Sequence, residues 1–282
     1  MVSLPECIPW MTAALAESVA IVTLNLCTII VFARNRNLRK RSTYLVINLA
    51  VIDLLVGGLA VYDLFYLSGA VCIQWKRLSI ADRATYVVLT LTCLLPNSSL
   101  TNITVMALER VHVTFLPLKH HVLKKRVYGV IIAVVWVTAT LVAISDALLV
   151  YLEEKKIYFI LHVIFYSICL LIICVSYSSI VIKVRCGVQP QHHGAASRER
   201  KLTLTLLIVT TVSLLLYLPF VVYYYVSYLV NFEIVQSLPA SMHFHLENAL
   251  LVLFYANSLA NPVLYAIRMP EYRSAVLALF RK

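Results

Sequence analysis

Seven stretches of the chain are nearly free of charge and rich in Leu, Ile, Val and aromatic residues: 11–33, 43–70, 84–115, 127–150, 157–184, 201–230 and 244–268. Each can supply the roughly 20 apolar residues that a helix needs to cross a bilayer. The spacers between them are short and polar. Asp53 and Asp63 interrupt the second run, and Pro219 the sixth. An eighth segment, 270–280, has a different pattern: Tyr272, Val276, Leu277 and Phe280 recur near helical spacing with Arg273 and Arg281 among them. That suits a helix lying on a membrane surface. The pattern predicts an all-α integral membrane protein, a single seven-transmembrane-helix bundle over 1–282 with a short C-terminal surface helix.

Composition strengthens this reading. The 282 residues are 61% hydrophobic and 13% charged, whereas a soluble domain carries about a quarter charged residues. No room remains for a separate soluble domain. The net charge of +11 would favour nucleic-acid binding in a soluble protein. Here the basic residues sit at the ends of apolar runs, so no nucleic-acid partner is expected. Eighteen Lys and Arg fall on the odd-numbered connections and the C-terminal segment, against five on the opposite side. The bias predicts an extracellular N-terminus, a cytoplasmic C-terminus and an odd number of spans. The basic side also attracts anionic headgroups of membrane lipids, at about 1 kcal/mol per residue. No basic leader with a cleavage site precedes the first run, so the first helix itself is expected to direct insertion. Residues 189–197 read as a short flexible connection.

The seven cysteines form no CxxC pair and no zinc spacing. Five lie in or beside apolar runs, where cysteine packs as a small hydrophobe. Cys7 and Cys72 fall on the oxidising side, and a Cys7–Cys72 bridge is one pairing open to them, since connectivity is not readable from sequence.

Polar groups inside the runs need a reason, because an ionisable side chain in a span costs several kcal/mol. Asp53, Asp63 and the Glu109-Arg110 pair stand out, with asparagines at 25, 48, 97, 102, 257 and 261. Asparagine is ordinary glue between helices. A lone carboxylate such as Asp53 is far harder to explain that way. The sequons at Asn97 and Asn102 lie inside the third run, where burial excludes glycosylation. There is no HExxH, nucleophile elbow or catalytic acid pair, so no enzyme is expected. There are no inverted repeats or paired broken helices of a transporter.

The ordered set of landmarks resembles the rhodopsin-like (class A) G-protein-coupled receptors over nearly the whole chain. It comprises Asn25 in TLNLCTIIVF, Asp53 in NLAVIDLL, Glu109-Arg110 in ALERV, Trp136, Tyr177 in SYSSIVIKV, Pro219 in LYLPF, and Asn261, Pro262 and Tyr265 in NSLANPVLY. The resemblance implies a plasma-membrane receptor that binds an extracellular ligand and signals to a heterotrimeric G protein by outward movement of the sixth helix. It implies an activation switch of Glu109, Arg110, Glu199, Tyr177, Tyr217, Pro219, Asn261, Pro262 and Tyr265. In the resting state Arg110 would bond Glu199; on release it would turn toward Tyr177 and Tyr265. Asp53, Ser99, Asn257, Ser258 and Asn261 match the family's sodium-site positions, so an allosteric sodium ion is the one metal expected. Pro262 deprives a backbone carbonyl of its partner, a group that Asn261 is placed to satisfy. Leu118 matches the position that inserts an apolar side chain into the G protein.

The chain departs from the family in its transmission core. The usual third-helix cysteine is Thr85, the fifth-helix proline is Cys169, the sixth-helix tryptophan is Tyr217, and Ser213 stands for a phenylalanine. A lost disulfide, a lost proline and a very short connection near 151–156 also occur together in melanocortin receptors, and Asp63 lies where those receptors place an acidic ligand contact. A wider likeness extends to adenosine, cannabinoid and sphingolipid receptors. Thr92 replaces the aspartate of amine receptors, and the seventh run has no lysine for a retinal Schiff base. The resemblance places the ligand among Asp63, Thr92, Cys93, Pro96, His162, Phe165, Phe220, Tyr224, Glu247 and Tyr255, a mixture that suits a small molecule or short peptide. The substitutions leave a second reading open, a non-signalling heptahelical partner protein; a small-solute transporter is third.

Overall fold

The computed structural model describes residues 3–35, 38, 43–63, 83–116, 124–186, 195–229 and 239–280. They form eight helices: α1 (Leu4–Arg34), α2 (Thr43–Asp63), α3 (Arg83–Phe115), α4 (Lys125–Tyr151), α5 (Lys155–Cys186), α6 (Ala195–Leu229), α7 (Ala240–Arg268) and α8 (Pro270–Phe280). Each apolar run becomes one helix, and the amphipathic segment becomes α8. Two boundaries differ from expectation. α1 begins at Leu4, where Ser3 and Glu6 form a reciprocal capping box that satisfies the first free N–H groups. α6 begins at Ala195, inside the segment read as a flexible connection. Among the described residues, six helices are long and apolar enough to span a bilayer, and α6 contributes the apolar stretch Leu207–Tyr223.

α3 is the hub, packing against α2, α4, α5 and α6, while α1 packs on α2, α7 and α8. α4 shows how sequence selects its faces. Val130, Val134, Val137, Leu141, Ile144 and Leu148 are exposed and recur every three or four residues, one stripe of the helix. Such a long apolar stripe is tolerable against lipid and not in water. The opposite stripe, Tyr128, Val135, Ala139, Ala143 and Asp146, is buried. Its two polar members lie about 27 Å apart along the axis at 1.5 Å per residue.

Two local features set the helix spacing. At Gly57 an added Cβ would come within 2.9 Å of the methyls of Ile21 and Val22, so the missing side chain is what lets α1 approach α2. Between α4 and α5 the chain turns within residues 152–154, with Glu153 at φ 60 and the Glu154 N–H donating to the Leu149 carbonyl at 2.9 Å. The left-handed conformation costs a non-glycine residue about 1–2 kcal/mol, and it holds the adjoining ends of the two helices side by side.

The terminal helices are pinned at both ends. Near the amino-terminal end, Glu6 accepts from Ser241 Oγ at 2.9 Å and Trp10 Nε1 donates to His245 Nδ1 at 2.8 Å. At the other end, Thr28 and the Tyr272 hydroxyl of α8 share a hydrogen bond of 2.7 Å. Cys7 is buried and disulfide-bonded. Its expected partner, Cys72, lies outside the described residues.

Candidate functional site

Three polar layers lie inside the bundle. The first is at the end carrying Arg110. The last turns of α3 bury Arg110 completely, and Glu109 beside it is nearly as buried. Arg110 Nε donates to Glu109 Oε2 at 2.7 Å, and Nη2 reaches the same oxygen. The other oxygen, Oε1, accepts the Tyr128 hydroxyl of α4 at 3.0 Å. A buried guanidinium without such pairing would be strongly destabilising. Tyr177 of α5 bonds Thr210 of α6 at 3.1 Å. Tyr265 packs edge-on to Phe32 and Tyr272, with centroids 6.2 and 6.1 Å away. The partner expected for Arg110 was Glu199; that side chain lies outside the described residues, as does Leu118.

The second layer surrounds Asp53, which is fully buried in α2. Its Oδ1 accepts from Ser258 Oγ at 2.9 Å and its Oδ2 from Asn261 Nδ2 at 2.7 Å. Asn97 of α3 and Asn261 Oδ1 of α7 are buried without a hydrogen-bond partner, and Ser99 and Asn257 are buried with only Tyr217 within reach. The Tyr217 hydroxyl lies beside Ser99 and Asn257 and within electrostatic reach of Asp53. Asp53, Ser99, Asn257, Ser258 and Asn261 thus share one core with Tyr217. Pro262 lies inside α7. Proline has no N–H, so the Ser258 carbonyl four residues earlier is released. Asn25 Nδ2 of α1 takes that carbonyl at 3.0 Å, while Asn261 Nδ2 bonds Asp53. On the α2–α3–α4 side, Asn48 donates to Asn102 Oδ1 at 2.9 Å and accepts from Trp136 Nε1 at 3.1 Å.

The third layer is toward the amino-terminal end, where the ligand candidates fall into two groups. Cys93, a free thiol, and His162 gather around Asp146 of α4, an acid that the sequence reading passed over. His162 Nδ1 lies 3.4 Å from Asp146 Oδ2, and Cys93 is within electrostatic reach of Asp146. Phe165 packs edge-on to Tyr166 at 5.9 Å; Thr92 and the buried Pro96 precede and follow on α3. In the other group, Phe254 of α7 links Phe220, Tyr217 and Tyr255 at 4.6, 5.0 and 5.5 Å. Glu247 faces His243 at 3.5 Å, and His243 shares a 3.1 Å hydrogen bond with Tyr223. The side chains of Asp63 and Tyr224 lie outside those described. Among the described residues no set of three or more His, Cys, Asp or Glu is arranged to hold a metal. Asp146 and Glu17 were visible in the sequence as acids within apolar runs. The roles of Tyr128 and Asn25 depend on contacts between helices that no local pattern encodes.

Residues 24–265 match the family model described as 7 transmembrane receptor (rhodopsin family). Melanocortin receptor 5 of Mus musculus is 23% identical over 261 residues, which covers 88% of this chain and 77% of that receptor. Melanocortin receptor 5 of Rattus norvegicus is 23% identical over 259 residues, with the same coverage. The match spans most of the chain and every helix that carries the three polar layers, and the chain belongs to the rhodopsin family of seven-transmembrane receptors.

Proposed function

We propose that this receptor sits in the plasma membrane with its N-terminus outside, binds an extracellular ligand near the amino-terminal end of the bundle, and signals to a heterotrimeric G protein at the Arg110 end. The observation that carries this reading is the pairing of a fully buried arginine with its neighbour Glu109, within electrostatic reach of Tyr177 of α5. A buried ion pair contributes little net stability compared with apolar packing, so its use is better sought in switching between two packings. Release of Arg110 toward Tyr177 and Tyr265 would let α6 move outward, pivoting near Pro219. Glu199 at the foot of α6 is the second brake on that motion, and Leu118 the apolar side chain offered to the G protein.

The residues around Asp53 fit a sodium ion. A hard cation takes oxygen ligands, and the buried Asn261 Oδ1 has no protein partner, with the Ser99 and Asn257 oxygens and the Asp53 carboxylate buried in the same core. When bound, sodium would neutralise that carboxylate and favour the closed packing. The ligand is a small molecule or short peptide that meets the Cys93–His162 group, the Phe220–Tyr255 group, or both. The melanocortin receptors among its relatives make a peptide the first class to screen.

A screen of peptide and small-molecule ligands against several G-protein types, with Arg110→Ala and Glu199→Ala alongside, tests the reading. Ligand-dependent G-protein activation that Arg110→Ala abolishes, and higher basal activity in Glu199→Ala, are expected. Unchanged basal activity in Glu199→Ala at equal surface expression would contradict the brake. One observation favours the non-signalling alternative: Ser213, standing where the family has phenylalanine, buries a hydroxyl with no partner in the transmission core.

A further inference from the structure

Asp146 is the buried acid that the switch does not use. It lies five residues before the end of α4 and is only 2% exposed. His162 of α5 faces it, Nδ1 to Oδ2 3.4 Å, and neither of those two atoms has a hydrogen-bond partner. The His162 ring is flanked by Tyr166, stacked at 4.6 Å, and by Tyr158 at 5.5 Å. The other titratable groups facing the pair are Cys93 of α3, within electrostatic reach of Asp146, and Tyr217 of α6, which reaches Tyr166. Among the described residues, His162 is the one basic side chain paired with Asp146.

We propose that the Asp146–His162 pair is a proton-binding site that couples the receptor's output to extracellular pH, resting on the orientation argued above. The contact is too long for a good hydrogen bond, so its strength depends on charge. With the proton on His162, an imidazolium faces a buried carboxylate and two aromatic faces that attract cations. Without it, a buried anion faces a neutral ring, a costly arrangement inside a membrane bundle. Histidine is the side chain whose ordinary titration falls between pH 5 and 8. The proton therefore controls how firmly α5 is held to α4 near their adjoining ends. His162 stacks on Tyr166, which is within electrostatic reach of Tyr217 beside the Asp53 layer. The Asp146–His162 contact occurs here together with Arg110 held by Glu109, so a proton that strengthens the contact favours this packing and its loss releases it.

The test uses the full receptor with a fluorescent reporter at the Arg110 end of α6, read beside G-protein output at about pH 6 and about pH 8, either side of ordinary imidazole titration. The open fraction is expected to be about five-fold higher at the alkaline pH, the low end of usual allosteric coupling. His162→Gln and Asp146→Asn are each expected to remove the dependence; the pair of variants guards against one failing to fold. A flat wild-type response, an unchanged dependence in folded variants, or a response to cytoplasmic pH alone would overturn the proposal. A reporter response to extracellular pH that both variants lose, with no G-protein output in any form, would uphold the proton site and refute the signalling reading.

Discussion

The Tyr128 hydroxyl donates to Glu109 Oε1 at 3.0 Å, while the other oxygen of the same carboxylate holds Arg110. α4 thus fixes the carboxylate that fixes the arginine. A hydrogen bond between membrane helices is worth about 1 kcal/mol, roughly five-fold in an equilibrium. Tyr128→Phe keeps the ring packing against Tyr44 and is expected to raise basal signalling by about that factor. In a Glu109→Gln background, where the anionic acceptor is already lost, Tyr128→Phe should add little. Equal effects in both backgrounds, measured at matched surface expression, would mean the phenol acts elsewhere.

Asn25 supports α7 at its proline from a neighbouring helix, through its 3.0 Å bond to the Ser258 carbonyl. Asn25→Ala leaves that carbonyl orphaned, at a cost of about 1–3 kcal/mol. The purified variant should melt earlier than wild type. An unchanged melting temperature would show that Asn25 is dispensable for α7.

The two adjacent glycines of α2 predict opposite outcomes. A Cβ at Gly57 meets Ile21 and Val22 at 2.9 Å, whereas one at Gly58 meets nothing within 4 Å. Gly57→Ala should destabilise by overpacking, about 1–3 kcal/mol. Gly58→Ala should be neutral or slightly stabilising, because alanine is the better helix former by about 1 kcal/mol. Thermal melts of the two variants decide it, and equal behaviour would refute the close approach of α1 and α2.

Sodium supplies a fourth test. If Asp53 and its oxygen-bearing neighbours hold the ion, the receptor should melt later in sodium chloride than in choline chloride of equal ionic strength, by mass action. Asp53→Asn should abolish the difference. A difference that persists in that variant would place the ion elsewhere.

How much of this was legible beforehand follows from range. Helix number and approximate bounds follow from local apolar content, which lipid enforces directly. The capping box at Ser3 and Glu6 is also a local signal, and it explains why α1 starts earlier than its apolar run. Asp53 stood out in the sequence as a carboxylate in an apolar run, and its carboxylate accepts from Ser258 and Asn261. The bonds of Asn25 to the Ser258 carbonyl and of Asn261 to Asp53 are contacts between helices that no local pattern encodes. Tyr128 looked like an ordinary residue at the start of a run; only packing turns it toward Glu109. Asp146 carried the same signal as Asp53, a carboxylate amid apolar residues, and its partner His162 was legible only as a lone histidine.

The central claim is that the bundle has two packings and that Arg110 chooses between them. The distance between spin labels at Phe115 on α3 and Leu204 on α6, both exposed, reads this directly. The account predicts one short distance in the resting receptor and a longer second population when Glu109→Gln or Tyr128→Phe loosens the arginine. A single unchanged distance in every variant, with all of them folded and at the cell surface, would contradict it.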